Sequence, residues 1–293
     1  MKKAWNEKGN EKMHEIILNK YQGLGNDYLI LDPEKNQLPL MARNIERLCR
    51  RNFGAGADGV LYGPLWEQGR VRVRIFNPDG SEAEKSGNGV CIFAKYLLDE
   101  GYVKERKLII DMLSGETEVE FLEKDGGVMR VNMGRPVYAG PELPLNGLKG
   151  EIVNAHLRFC DNDYNSTCLS VGNPNCVIML EEVTPQKARE LGPYVEQASY
   201  FPKRMNMQLL KVVDPNCIAI EIYERGTGYT LSSGTGACAA AAAAKRMGLV
   251  NDKVTVQMPG GELLVEIDKS NTIFMTGRVE KVGSFAVAEN FFA

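Results

Sequence analysis

The sequence predicts an α+β protein of two pseudo-symmetric domains from an internal duplication, each with strands wrapped around a central helix. Three observations predict it. The six-residue pattern SGNGVC at Ser86 to Cys91 returns as SGTGAC at Ser233 to Cys238. The two copies stand 147 positions apart, about half of the 293 residues. Each copy opens a helix-like run, and strand-like segments precede and follow it in similar order.

The elements follow in chain order. Residues 1–15 are charged and polar with no hydrophobic period, and read as a flexible tail. IILNKY is strand-like and leads into GLGNDYLILD; MARNIERLCRRN has the spacing of an amphipathic helix, and GAGADGVLYG reads as a loop. RVRVRIFN then leads to the first SGxGxC copy, whose helix, VCIFAKYLLDEG, should stop near Gly101. KLIIDML, ETEVEFLE and VMRVNMG complete the first domain, residues 16–140, and the segment from Pro136 to Pro144 is a proline- and glycine-punctuated connection. The second domain, residues 141–293, repeats this grammar. TCLSVGNPNCVIML is a strand with a turn inside it, PQKARELGPYVEQA a helix, and MNMQLLKVV and CIAIEIYE strands before the second copy. Its helix, ACAAAAAAKRMGL, should end near Gly248; VTVQMP, ELLVEI and TIFMTG close the unit, and the last strand has the freedom to return to the first domain.

Composition excludes several classes. With 44% hydrophobic residues the chain can fill two cores, so disordered and fibrous classes are out. Lys and Arg total 35 against 38 Asp and Glu, without a basic stripe interleaved with aromatics, so no nucleic-acid partner is expected. The alanine-rich stretch Ala237 to Ala244 is far too short to span a bilayer and the N-terminus lacks the apolar core of a secretion signal. A cytoplasmic location and no membrane partner are therefore expected. Seven cysteines form no CxxC pair, and only His14 and His156 could join them as soft ligands, so neither a metal site nor a disulfide framework is expected.

The duplicated motif has a physical meaning. Two glycines within four residues let the backbone approach a ligand closely, and the helix that follows leaves its first N–H groups without intrahelical partners. A carboxylate or phosphate fits such a cradle. A serine before a glycine is also an ordinary N-cap, but two matching copies argue for two facing cradles with a ligand between them.

The segments GLGNDY, GADGVL, RIFNPDGSEAEKSGNG, GNPNCV, FPKRMN, YERGTGYTLSSGTGACAAA, PGGELLVEI and MTGRVE stand in the order and at the approximate spacing found in diaminopimelate epimerase. From about Ile16 to about Glu289 the chain resembles that family. The resemblance implies the two-domain epimerase fold and an acid/base mechanism on an amino acid that needs no pyridoxal phosphate or other cofactor. It also implies the setting of lysine biosynthesis, and pairing as a homodimer, which is common among family members. In the family two cysteines face the substrate α-carbon from opposite sides, one taking the α-proton and the other delivering one. The helix N-termini hold the α-carboxylate; by position these are Gly87 with Asn88 and Gly234 with Thr235. The positions that grip the far end of diaminopimelate match Asn26, Asn77, Asn173, Asn206 and Arg225, with Glu224 beside the arginine, and all keep the family residue type.

The chain departs from the family where the chemistry is done. Ser86 and Ser233 occupy both cysteine positions, Asn175 that of a histidine after GNP, and Tyr229 that of a glutamate before the second cysteine. A serine hydroxyl is a much weaker acid than a thiol and needs a strong neighbouring base. Cys91 and Cys238 lie five residues into the helices on another face, where packing is the expected role. Replacement of the cysteines by engineering would account for the serines alone, but not for Asn175 or Tyr229, so the set favours natural divergence. Three readings follow. The chain moves the Cα proton of an amino acid with a second polar head, diaminopimelate being the candidate, with Lys85 or Tyr229 as a tuned acid or base. Or it runs a related isomerisation or elimination with a carboxylate such as Asp79 or Glu82, similar to the phenazine-pathway isomerases. Or it binds the amino acid without turnover.

Overall fold

The computed structural model describes residues 16–292, so the expected tail at residues 1–15 lies outside the described residues. The first half runs β1 (Ile16–Gly23), β2 (Asn26–Leu31), α1 (Ala42–Cys49), β3 (Val60–Glu67), β4 (Arg70–Phe76), β5 (Glu82–Ala83), α2 (Gly87–Asp99), β6 (Lys107–Met112), β7 (Gly115–Phe121) and β8 (Val128–Gly134). After β9 (Ala155–Phe159) the order repeats. It runs β10 (Asn162–Ser170), β11 (Pro174–Met179), α3 (Pro185–Glu196), β12 (Asn206–Asp214), β13 (Cys217–Glu224), β14 (Gly228–Thr230), α4 (Gly234–Arg246), β15 (Lys253–Met258), β16 (Gly261–Ile267) and β17 (Ile273–Arg278), and β18 (Glu280–Val287) comes last.

Strand pairing carries the same duplication. In the first half β1–β2 is antiparallel, β2–β3 parallel, β3–β4 antiparallel, β4–β6 parallel, and β6–β7 and β7–β8 antiparallel. In the second half β10–β11, β11–β12, β12–β13, β13–β15, β15–β16 and β16–β17 repeat this sequence of directions. The antiparallel pair β8–β17 joins the halves. The strand that ends each half then covers the opening strand of the other: β9 lies along β10, and β18 returns to lie along β1.

Each half closes around one helix. From Gly87 to Ala94, and at Tyr96 and Leu97, α2 is buried; α4 is buried from Gly234 to Ala244. A helix enclosed on all sides needs apolar residues around its whole circumference, and α4 meets this mostly with alanine, the best helix former and a side chain small enough for close strand approach. Cys91 and Cys238 are part of this packing, and burial pushes both thiols up to about 12. Both helices stop near left-handed glycines, Gly101 at φ 75° and Gly248 at φ 74°.

β3 and β9 were hidden in the sequence. The GAGADGVLYG segment is loop only as far as Gly59, and β3 begins at Val60. Gly63 and Pro64 make the strand read as punctuation, and they sit where its register against β4 breaks between Tyr62 and Leu65. Gly63 is there for want of space, because a Cβ would lie 3.0 Å from both the Phe93 ring and the Arg72 carbonyl. β9 is a short strand whose Leu157 and Phe159 face inward between exposed residues.

The halves come into backbone contact where α2 and α4 begin. A Cβ on Gly87 would lie 2.9 Å from the Cα of Gly234, and one on Gly234 would lie 2.9 Å from the Cα of Gly87. Because backbone blocks both positions, relief requires the helices to separate. Gly87→Ala and Gly234→Ala are each expected to cost roughly 1–3 kcal/mol of stability, measurable by urea denaturation, whereas alanine at the open turn position Gly69 should lose its stability to backbone strain alone.

Candidate active site

The two helix N-termini are built alike. Ser86 is extended at φ −138° and ψ 120°, and its Oγ accepts from the Gly89 N–H at 3.0 Å; Ser233, at φ −148° and ψ 118°, accepts from Gly236 at 3.1 Å. Both serines are therefore N-caps in fact. Each cap is met by an asparagine that follows a left-handed glycine, Gly25–Asn26 in one half and Gly172–Asn173 in the other. Asn88 Nδ2 donates to Asn26 Oδ1 at 3.3 Å, and Asn173 Nδ2 donates to Thr235 Oγ1 at 3.1 Å. Every one of these counterparts is separated by the same 147 positions as the serines.

Two of the equivalent positions at which the halves differ give the serines unlike partners. Two residues beyond the asparagine stands Tyr28 in one half and Asn175 in the other. The Tyr28 hydroxyl lies 3.1 Å from Ser86 Oγ. Asn175, fully buried, donates to both the carbonyl and the side chain of Asn173 at 2.7 and 3.0 Å, and accepts from Gln208 Nε2 at 3.1 Å. Its amide orients Asn173. Nine residues before the serine stands Asn77 in one half and Glu224 in the other. Asn77 donates to Ser81 Oγ at 3.0 Å, whereas Glu224 Oε1 accepts from Ser233 Oγ at 2.7 Å.

The acidities follow from burial. Burial pushes the Glu224 carboxyl from its ordinary 4.5 up to about 7, against the pull of the Ser233 hydrogen bond and with help from the negative charge of Asp58. Burial, chiefly, with the charge of Glu224 added, raises the Tyr28 phenol far above its ordinary value, so it stays protonated. Asp58 is itself raised by burial and by Asp27, and it accepts from Asn26 Nδ2 at 3.1 Å. Arg51 ties Asp27 and Asp58 together at 2.9 and 2.7 Å.

Between the caps lies a cavity of about 40 Å³ whose walls include Asn26, Asn77, Asn173, Asn206, Glu224 and Arg225, with Ser86 and Thr235 at the helix ends. The Arg225 backbone N–H donates to Asn206 Oδ1 at 2.9 Å, and Asn206 Nδ2 donates to the Pro174 carbonyl at 3.0 Å.

The other acid/base candidates each have a partner away from the cap serines. Lys85 lines the cavity, but its ammonium donates to the Met133 carbonyl at 2.8 Å, and burial lowers its pKa. The Tyr229 hydroxyl donates to Glu221 at 2.8 Å, and burial with that carboxylate pushes the phenol up to about 12. Asp79 accepts from the Ser81 N–H at 3.0 Å, and Glu82 is held by Arg74 at 2.7 Å, which keeps its carboxyl below the ordinary value. The carboxylate that hydrogen-bonds a cap serine is Glu224, expected from the sequence as a binding residue. Tyr28, Asp58 and Glu84 also line the cavity and were not singled out; each lies inside a quoted block, GLGNDY, GADGVL or SEAEKSGNG. Among the described residues no three His, Cys, Asp or Glu side chains gather into a metal-binding group, and no helix is long and apolar enough to cross a membrane.

Two duplicated halves that present capped helix N-termini to one cavity define the class of the amino-acid epimerases and racemases. The diaminopimelate epimerase family model matches residues 18–139 and 167–282, and the chain belongs to that family. It is 42% identical over 276 residues to diaminopimelate epimerase 2 of a Nostoc species, covering 94% of this chain and 96% of that protein. It is 38% identical to the diaminopimelate epimerase of Moorella thermoacetica, covering 90% and 96%. In fold it is similar to a hydroxyproline epimerase from Agrobacterium vitis, with a TM-score of 0.71 at 14% identity over 96% of this chain and 93% of that one. A Bacillus anthracis phenazine biosynthesis protein follows at a TM-score of 0.63 and 16% identity, covering 94% and 99%.

The raised Glu224 carboxyl carries a pH signature of its own. The folded state holds this proton more tightly than the unfolded state, so its stabilising contribution is full below about 4.5 and is lost as the pH rises through about 7. The loss amounts to about 3 kcal/mol at most. Glu224→Gln, which keeps the Ser233 partner but cannot ionise, should remove that slope from denaturation curves recorded between pH 4.5 and 8.

Proposed function

We propose that this protein moves the Cα proton of an amino acid bearing a second polar head, of the diaminopimelate kind, without a cofactor. The observation that carries the reading is the 2.7 Å hydrogen bond from Ser233 to a buried Glu224 whose carboxyl is poised near 7, at the mouth of α4. The α-carboxylate sits between the N-termini of α2 and α4, where unpartnered N–H groups and the helix dipoles favour negative charge. Ser233 Oγ takes the α-proton as its own proton passes to Glu224, and the electron pair of the broken C–H bond flows into the carboxylate, where those N–H groups stabilise it. On the opposite face the Ser86 hydroxyl returns a proton to Cα and is resupplied by the Tyr28 hydroxyl 3.1 Å away. Inversion results, with no net change in protonation once the two faces re-equilibrate with water.

A specific asymmetry favours a second reading. Ser233 has a titratable carboxylate, but the partner of Ser86 is a phenol held protonated, so deprotonation from the Ser86 face lacks a base. Exchange confined to one face, or binding without turnover, is then the outcome. On the main reading the protein works in the cytoplasm as part of lysine biosynthesis, on a free amino acid and as a homodimer.

Incubation with LL- and meso-diaminopimelate in deuterated water separates the readings. Deuterium at Cα with interconversion of the isomers supports inversion; deuterium with retained configuration supports one-face exchange; a shifted double bond or loss of water supports the related isomerisation or elimination. Binding with no exchange over days would sink all three catalytic readings. Restoring thiols with Ser86→Cys and Ser233→Cys together should raise the exchange rate by roughly a hundredfold or more, because a thiol near neutral pH is the better acid and base.

A further inference from the structure

We infer that Gln208 is a positioning residue: through Asn175 and Asn173 it fixes the direction in which the Thr235 hydroxyl donates, and so strengthens the hold on the α-carboxylate. The inference rests on the amino-acid reading above. Gln208 lies on β12, fully buried, with Val177 of β11 and Ile222 of β13 as its register partners. Its amide touches the first turn of α4, since a Cβ on Gly236 would lie 2.9 Å from Gln208 Nε2. In the first half the same place is apolar. Leu61 stands 147 positions before Gln208, and its Cδ2 would lie 3.4 Å from a Cβ on Gly89, the counterpart of Gly236. A leucine therefore fills the space under a helix cap, and a buried amide there needs a reason other than packing.

The reason is a chain of amides with a fixed polarity. The Asn173 carbonyl can only accept, so Asn175 presents its NH2 group to it, at 2.7 Å. That turns Asn175 Oδ1 the other way, where Gln208 Nε2 donates to it at 3.1 Å. The same NH2 group of Asn175 holds Asn173 Oδ1 at 3.0 Å, which turns the Asn173 NH2 group to Thr235 Oγ1 at 3.1 Å. Used as an acceptor by Asn173, the Thr235 hydroxyl keeps its own proton for the cavity that it lines, where Ser233 Oγ lies 3.4 Å away and where the α-carboxylate binds on the reading above. The first half has no such chain, because Leu61 and Tyr28 stand where Gln208 and Asn175 do.

Gln208 serves this chain and not the stability of the fold. Its Oε1 is buried with no hydrogen-bond partner among the described residues. Leucine at 208 would remove that orphaned acceptor and leave another at Asn175 Oδ1, so the number of unpartnered acceptors stays the same. What leucine takes away is the donor that holds the Asn175 amide in its orientation.

The test is a double-mutant cycle read by calorimetric binding of meso-diaminopimelate, with urea denaturation alongside. Thr235→Val should weaken binding by about tenfold, as expected for a hydrogen bond to a charged group, and Gln208→Leu by about fivefold. The double variant should bind within about twofold of Thr235→Val alone, because Gln208 acts through Thr235. The urea midpoint of Gln208→Leu should stay within about 0.5 M of the wild-type value. Gln208→Glu adds a pH profile: a protonated carboxyl donates to Asn175 and an ionised one does not. Its affinity should match the wild-type protein at low pH and fall behind as the buried carboxyl ionises. Losses that multiply in the double variant, an unchanged affinity in Gln208→Leu, or a loss matched by a fall in stability would each overturn this inference and leave the amino-acid reading intact. No binding of diaminopimelate to the wild-type protein would overturn that reading and the inference with it.

Discussion

The backbone contact between Gly87 and Gly234 is the constraint on which the rest depends. Two helices that begin within touching distance point their positive ends at one another, an arrangement that nothing in the protein itself favours electrostatically. It persists because each helix is gripped on all sides by its own half and because β8 pairs with β17 across the junction. The exchange of end strands adds a second tie, since β9 and β18 each lie against the opening strand of the other half. An anion between the caps would relieve the repulsion that the scaffold holds in place.

From two equal halves the site makes two unequal faces. The caps, the glycines and the asparagines Asn26 and Asn173 stay in register across the duplication, and on the proposed reading they hold the α-carboxylate and present a hydroxyl to Cα. The positions equivalent to Tyr28 and Glu224 hold Asn175 and Asn77, and these two exchanges give one serine a phenol and the other a carboxylate. On the proposed reading, a carboxyl near 7 and a phenol held protonated serve as base and acid respectively. The duplication supplies geometry, and divergence between the copies supplies direction.

How much of this was legible follows from where the information lies. The duplication, the central helices and their glycine stops were readable because they depend on local backbone rules, spaced in sequence as they are in space. β3 was not, because Gly63 and Pro64 look like a break until the Phe93 ring and the β4 register irregularity show why they are there. The asparagines that line the cavity were readable as a matched set. The carboxylate partner of Ser233 was not: Lys85 and Tyr229 stand nearer the serines in sequence, but their functional ends turn to Met133 and Glu221. Adjacency along a chain that enters a helix says little about which side chains meet, because the turn before the cap sends neighbours to opposite sides of the strand layer. Glu224, nine residues away at the end of β13, comes back to Ser233 because β14 folds the chain against β13 and returns it to the helix.

The loss of both thiols and the survival of the distal set together say something about what the site is kept for. Were recognition as well as chemistry drifting, Asn26, Asn77, Asn173, Asn206 and Arg225 would have no reason to remain a coherent group, since several of their side chains hydrogen-bond to one another's loops and not to the core. Instead Asn206 aims the Arg225 backbone, Asn175 aims Asn173, and Asn88 aims Asn26, each through a buried amide. Buried amides are costly unless fully partnered, so a network of this kind persists only where its geometry matters. The histidine-to-asparagine exchange at position 175 fits the same logic, because an amide there can brace Asn173 at two points while accepting from Gln208. On the proposed reading, recognition of a two-headed amino acid is what this network serves, and the carboxylate at Ser233 takes the proton chemistry that the resemblance assigns to a thiol.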